Sequence, residues 1–334
     1  APIPAETSLV ATAAALNTPQ LAGAGFEGIS LADESAAFGT QSFPPDTAAA
    51  VGPSHLLELT NGSVAVYTRA GVRQSLVSLD SFFSFNAGGI DYPRGGSFAP
   101  RVLYDRKAGR WVAVALEENG GEENDLLLAV SRTSDPTGVW DRYVIDVSAE
   151  ETFTDFPTLG LDDHGVYVGL NMFGPTYGAR IVAVDRSKLY QPTPVLTAYR
   201  FDDLTDGFAY QPAHNFDTLG PTDPAWLMAV DAVSLSTLRY RKIVWSGAPA
   251  LSSDTALAVA TTSFPPFVPQ AGGSLPIDPG DDRLCNVVVR NGRLWTCQNI
   301  TFGGRAAVRW YELNTAGGAL TVAQYGTIAD GTRH

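Results

Sequence analysis

The chain has 334 residues, a formal net charge of −13 and a sequence pI near 4.6. So acidic a surface disfavours nucleic acid, which needs a basic face, and no apolar run reaches the roughly 20 residues of a membrane-spanning helix. Charged residues are only 17%, against 33 Gly and 22 Pro, a balance suited to a turn-rich, exported, monomeric protein with a sizeable core.

The chain opens Ala1-Pro2-Ile3-Pro4-Ala5-Glu6. This reads as a mature terminus left by signal-peptide removal, so a secreted, extracellular location is expected. Residues 1–40 read as an N-terminal arm that helps to close the fold. Its one helical candidate is the Ala-rich stretch 11–16, and 21–40 carry no element. Residues 41–334 read as a single domain.

Within that domain a short apolar run starts at a Pro-containing segment, turns, and returns as a second apolar run ending in a polar residue. This happens five times. The starts are Pro44-Pro45-Asp46, Ala99-Pro100-Arg101, Phe156-Pro157-Thr158, Gln211-Pro212-Ala213 and Pro279-Gly280-Asp281. The returns end at Asn61, Glu117-Glu118, Asn171, Asp231 and Asn299. In chain order the predicted strands are 47–51, 55–60, 63–69 and 72–79, then 101–104, 111–117, 125–131 and 140–147. The third unit reads 158–161, 166–170, 179–185 and 195–201, and the fourth 213–216, 226–230, 238–245 and 255–262. The last reads 284–289, 294–298, 306–313 and 320–327. A repeat of roughly 55 residues built only of strands points to an all-β, radial architecture. The fold class is a β-propeller of four-stranded blades, with five units visible and a sixth blade open. A β-sandwich is the competing architecture.

Cys285 and Cys297 flank the turn Arg290-Asn291-Gly292. A three-residue loop there places them opposite each other on paired strands, and a structural disulfide is the expectation. Buried free thiols are the alternative.

The segment from Pro44-Pro45-Asp46-Thr47 to Val51-Gly52-Pro53 resembles the first blade of a group of secreted bacterial β-propeller proteins. Arg101-Val102-Leu103-Tyr104-Asp105-Arg106 with Gly109-Arg110-Trp111 resembles their second. Asp155-Phe156-Pro157-Thr158-Leu159-Gly160 resembles the third, and Asn291-Gly292-Arg293-Leu294-Trp295 with Arg309-Trp310-Tyr311-Glu312 a later one. The resemblance spans most of the chain after residue 40. It implies an extracellular propeller and carries no assigned reaction. Ser134-Asp135-Pro136-Thr137-Gly138-Val139-Trp140 is similar to the Asp-box of sialidase-type propellers, with one residue too many, and reads as a turn whose Trp packs between blades. The acidic starts are similar to those of five-bladed glycosidases, an analogy of fold only.

In a propeller, residues before each inner strand and after each second strand share one face. The candidate catalytic residues are therefore Asp46, Glu117, Glu118, Asp155, Asp231 and His214. Carboxylates from different blades supply an acid and a base, or an acid and a nucleophile, for glycosidic cleavage. A lyase would instead use His214 with Tyr210, and Arg101 or Arg283 to neutralise a uronate. The candidate substrate-binding residues are Arg101, Asn171, Phe173, Tyr210, Asp282, Arg283 and Asn299. Phe156, Tyr177, Phe208 and Phe302 are further stacking candidates. The bland alternative is that these polar ends only solvate a mouth.

Acidic turns at Asp162-Asp163, Asp278 to Asp282 and Glu122-Glu123 offer oxygen ligands for Ca²⁺ without the spacing of a calcium loop. The signatures of zincins, P-loops and α/β-hydrolases are missing. The functional expectation is a secreted propeller acting on extracellular carbohydrate, as a glycoside hydrolase or polysaccharide lyase. The alternative is a non-catalytic propeller that binds glycan or protein.

Overall fold

The computed structural model describes residues 2–6, 25–118, 124–149, 151–175, 178–205 and 207–330. The helical candidate at 11–16, Tyr177 and Glu122-Glu123 lie outside the described residues. The chain divides into two compact units, 23–202 and 203–334 together with 1–22. The stretch expected to form one arm is thus shared between them.

Three four-stranded antiparallel meanders make up the first unit. The first runs Ala48–Val51, His55–Leu59, Ser63–Thr68 and Arg73–Ser78. The second runs Gly96–Asp105, Arg110–Glu118, Leu126–Ser131 and Trp140–Ile145. The third runs Phe153–Leu161, Gly165–Phe173, Gly178–Asp185 and Ala198–Leu204. Side chains alternate across a strand, so one strand serves two faces. Trp111, Ala113 and Ala115 enter a core with Leu57, Leu59, Val66 and Trp140. Val112, Val114 and Leu116 enter another with Leu161, Val168 and Leu170. The second meander is therefore covered on both faces, which is why its strands read as unbroken apolar runs. Two cores on opposite faces of one sheet make a stack of three sheets, not a two-sheet sandwich.

Gly52 lets the first meander approach Trp111. A Cβ there would stand 2.5 Å from Cζ2 of a fully buried indole. Gly52→Ala is expected to lower the unfolding free energy by about 1–3 kcal/mol, read from urea titration. The Trp of the Asp-box-like turn also packs as expected: Trp140 lies in the first core and donates through Nε1 to the Pro136 carbonyl at 2.9 Å.

Three helices among the described residues, Leu31–Phe38, Leu79–Phe83 and Arg186–Leu189, were not anticipated. Leu31–Phe38 starts at a capping box, with Ser30 and Asp33 bonded to each other's backbone, and stops at Gly39 with φ 72°. Ser-x-x-Asp before a helix-forming run, closed by Gly, was a legible signal. The helix carries Glu34, which is buried and accepts from Thr60 Oγ1 at 2.7 Å, Ser63 Oγ at 2.9 Å and the Ser42 amide at 2.9 Å. Burial raises its carboxyl, yet these hydrogen bonds outweigh burial and leave it below the ordinary range.

The second unit holds two meanders. One runs Gly207–Pro212, Ala225–Asp231 and Thr237–Ser246, and two short strands, Ala248–Leu251 and Thr255–Ala258, share the fourth place against Thr237–Ser246. The other runs Leu284–Arg290, Arg293–Phe302, Arg305–Asn314 and Thr321–Ile328. A single core between them gathers Trp226, Met228, Tyr240, Leu294, Tyr311 and Leu313. The first residues of the chain lie along the last meander, where Glu6 accepts from Thr327 Oγ1 at 2.6 Å.

Candidate functional site

The inner strand of every meander carries the same irregularity. In the second, Phe98 pairs Leu116 and Arg101 pairs Val114, so Ala99 and Pro100 together oppose Ala115. In the third, Phe156 and Pro157 oppose Leu170. In the fourth, Ala209 and Tyr210 oppose Ala229, and in the fifth, Cys285 and Asn286 oppose Cys297. The first meander matches. Ala48 pairs Leu59 and the Asn61 amide donates to the Pro45 carbonyl, leaving Asp46 and Thr47 against Thr60. Two residues against one is a β-bulge, which bends a strand and re-aims its side chains. In four of the five meanders the first bulge residue is left-handed without being glycine: Asp46 at φ 45°, Ala99 at 50°, Phe156 at 57° and Ala209 at 53°. Each such residue costs roughly 1–2 kcal/mol, and such strain clusters where function needs it.

The bulges correct the register inferred from sequence. The inner strands begin before their prolines, because Pro100 and Pro157 occupy the second bulge position, where no ladder N–H is needed. Asn61 and Asn171 lie on the rung opposite the residue before the bulge. The residues matching them are Leu116, Val230 and Gln298. Glu117, Asp231 and Asn299 sit one residue further on, and one residue turns a side chain to the other face.

Their surroundings follow from that. Glu117 is fully buried and accepts from the Arg94 amide at 2.9 Å and Arg94 Nε at 2.6 Å. Arg94 also reaches Asp125 at 2.8 Å. Burial, with the negative charges of Asp146 and Glu117, outweighs Arg94 and pushes the Asp125 carboxyl up to about 6. Asp231 caps its own turn, accepting from the amides of Val233 at 2.9 Å and Ser234 at 2.7 Å, and pairs with Arg239. Asn299 donates to the Pro279 carbonyl at 3.0 Å. Glu117 and Asp231 are thus ion-paired framework, and Asn299 fastens a loop. Glu118 is exposed at a strand end.

The other expected residues of the second unit are also occupied. Tyr210 is fully buried, donates to Asp254 at 2.9 Å and accepts from Arg241 at 3.1 Å. Its burial pushes the phenol well above its ordinary value, so it is unsuited to abstracting a proton. Arg283 grips Asp281 through two bonds of 2.7 and 2.6 Å and lies over the Phe208 ring at 4.9 Å. Asp282 is buried, and desolvation raises its carboxyl. His214 lies half-buried on a short strand beside Val288, its ring 4.1 Å from Phe216.

Cys285 and Cys297 face one another at the fifth bulge as free thiols, in place of the expected disulfide. The loop between them has two residues, Asn291 and Gly292, both at positive φ. Regular pairing through that turn would match Cys297 with Asn286, and the bulge brings Cys285 into play.

What the first unit does bring together is Asp46, Arg101 and Asp155. They come from three successive meanders and sit at or beside three bulges. Arg101 is half-buried, donates to the Pro100 carbonyl at 2.7 Å and lies 5.8 Å over the Phe156 ring. Burial lowers its pKa, and the fields of Asp46 and Asp155 oppose that. Among the described residues Arg101 makes no ion pair. Asp155 accepts from the Phe156 amide at 2.6 Å and stands opposite the fully buried Asn171. Asp46 is exposed. Asn61 holds the first two bulges in place, donating to the Pro44 carbonyl at 2.8 Å and accepting from the Ala99 amide at 2.7 Å. Phe173, 42% exposed, ends the strand that carries Asn171. Two carboxylates around an unpaired guanidinium, with an exposed ring on the same unit, can hydrogen-bond a polyhydroxylated ligand and exchange protons with it.

The acidic turns cap themselves. Asp162 accepts from the amides of His164 at 2.8 Å and Gly165 at 2.9 Å, and Asp278 from Gly280 at 2.9 Å. Among the described residues no group of three or more His, Cys, Asp or Glu is placed to hold a metal.

The sequence matches no family profile and no curated protein. Several solved structures are similar in fold. An exo-β-1,3-galactanase from Phanerochaete chrysosporium, solved with galactose, is 11% identical, with 87% of this chain and 68% of that one covered at a TM-score of 0.41. A thermostable family-43 glycoside hydrolase is 12% identical over 86% of this chain and 94% of its own, at 0.40. A subtype N10 neuraminidase-like protein of A/little yellow-shouldered bat is 7% identical over 85% and 82%, at 0.43. At these values the likenesses assign neither a family nor a reaction.

Proposed function

We propose that the chain is a secreted β-propeller whose five meanders are its blades, and that it acts on extracellular carbohydrate at the bulge rung of the first three. The observation that carries this reading is the cluster of Asp46, Arg101 and Asp155. It holds two carboxylates around a guanidinium that makes no ion pair among the described residues, whereas Glu117 is paired with Arg94 and Asp231 with Arg239. Arg101 orients hydroxyl or carboxylate groups of a sugar through its planar fork of donors. Asp155, fixed by its bond to the Phe156 amide, serves as nucleophile or base. Asp46, exposed and more free to move, serves as the acid. Phe173 supplies a ring for stacking.

A panel of neutral and uronic polysaccharides, run with and without EDTA, tests this. Reducing ends that appear and are lost in Asp46→Asn and Asp155→Asn establish a hydrolase. A rise in ultraviolet absorbance from unsaturated products marks a lyase instead. Loss of either signal with EDTA brings in a calcium ion. Binding without product, abolished in Arg101→Ala, establishes the non-catalytic glycan-binding propeller.

A further inference from the structure

The fifth bulge differs from the other four in chemistry. Its first residue is Cys285, and the residue it opposes is Cys297. Cys285 is exposed and Cys297 half-buried. The two thiols influence each other's titration in opposite senses. This influence holds Cys285 at about 7, against the opposing effects of burial and the Asp281 charge. It pushes Cys297 well above the ordinary thiol value, and burial adds to this. Much of the Asp281 charge is taken up by Arg283.

Two further features favour chemistry over packing. Cys285 lies in the bulge, outside the regular ladder, so its sulfur can swing between an external partner and Cys297 without breaking a rung. Cys297 pairs across the next strand with Trp310, which stacks on Trp295 at 6.0 Å, so an aromatic wall flanks the thiols.

We propose that Cys285 and Cys297 form a redox-active dithiol that exchanges with small external disulfides, Cys285 attacking and Cys297 resolving. The Cys285 thiolate attacks one sulfur of the external disulfide. That S–S bond breaks, and the departing thiolate takes a proton from water. Cys297 then releases its proton, and its sulfur attacks Cys285, displacing the second external thiolate. The protein loses two electrons and two protons as its own S–S bond forms, and the external disulfide is reduced to two thiols. The more acidic, exposed thiol attacks because the thiolate is the nucleophile.

The test uses the reduced full chain with oxidised glutathione at pH 7, followed by intact mass and peptide mapping. The unmutated chain is expected to end as an internal disulfide lighter by two hydrogens, and to return to dithiol with excess reduced glutathione. Cys297→Ser is expected to stop at the Cys285–glutathione mixed disulfide. Cys285→Ser is expected to react at least about tenfold more slowly. Brief alkylation of the unmutated reduced chain gives an independent reading, with Cys285 labelled at least about tenfold ahead of Cys297. Equal labelling of the two cysteines overturns the proposal. So does a mixed disulfide that persists in the unmutated chain. A bridge that excess thiol does not open also overturns it, because that is a purely structural disulfide.

Discussion

Asp155→Asn is expected to reduce the release of reducing ends by about 100- to 10,000-fold, while glycan binding stays within a few-fold. The substitution keeps the shape of the side chain, and its amide oxygen still accepts from the Phe156 amide. The second bulge position, Pro157, needs no adjustment. What is lost is the charge that attacks or activates water. Asp46→Asn is expected to show a different pattern. An acid is needed to protonate a poor leaving group, so activity falls on polysaccharide and survives on aryl glycosides with acidic phenols. Arg101→Ala is expected to weaken binding by about tenfold, the scale of one charge-assisted contact. Steady-state kinetics on both substrate types, with calorimetric binding, separates the three. Full activity in Asp155→Asn and Asp46→Asn together sinks the catalytic reading of this cluster.

Arg94→Met is expected to lower the unfolding free energy by about 3–5 kcal/mol, because it strands the buried carboxylates of Glu117 and Asp125. Both have little access to water: Glu117 is fully buried and Asp125 is 8% exposed. Glu117→Gln on that background is expected to restore part of the loss, since a neutral amide tolerates the site better than an unpaired charge. Guanidinium unfolding of the four-member cycle measures the coupling. Asp125 adds a pH signature. Its carboxyl titrates at about 6 in the fold, above its unfolded value near 4. Its contribution is therefore fully present below about pH 4 and is lost as pH rises through 6. Asp125→Asn escapes that loss. It is expected to gain on the order of 1–3 kcal/mol over the parent between pH 4 and pH 7. A flat difference across that range removes Asp125 as the titrating group.

The five repeats were legible because two-residue alternation and turn residues survive averaging over a strand. The bulges were not. Read from sequence, each inner strand begins after its proline, but Pro100 and Pro157 sit inside strands that start earlier, at Gly96 and Phe153. In the fourth meander the proline is three residues past the first bulge residue, Ala209, so Gln211-Pro212 misplaced that strand altogether. This slip selected Glu117 and Asp231, which lie on the wrong rung beside arginines. Arg94 could not be connected to Glu117 from sequence, because its position depends on the helix Leu79–Phe83 and the hairpin Phe85–Ala87 with Ile90–Tyr92. Asp46, Arg101 and Asp155 were all named, yet only the structure brings them together from three meanders.

The two-against-one register has a consequence for how such a chain can change. At the first bulge position the five meanders carry Asp46, Ala99, Phe156, Ala209 and Cys285, an acid, two methyl groups, a ring and a thiol. That position lies outside the ladder, and the strand resumes its pairing beyond it whatever the side chain. Ala99 and Ala209 are buried there, but Asp46, Phe156 and Cys285 reach the surface, so three of these addresses are open to rewriting one at a time without repacking a sheet, and chemistry can drift at them while the scaffold stays constant.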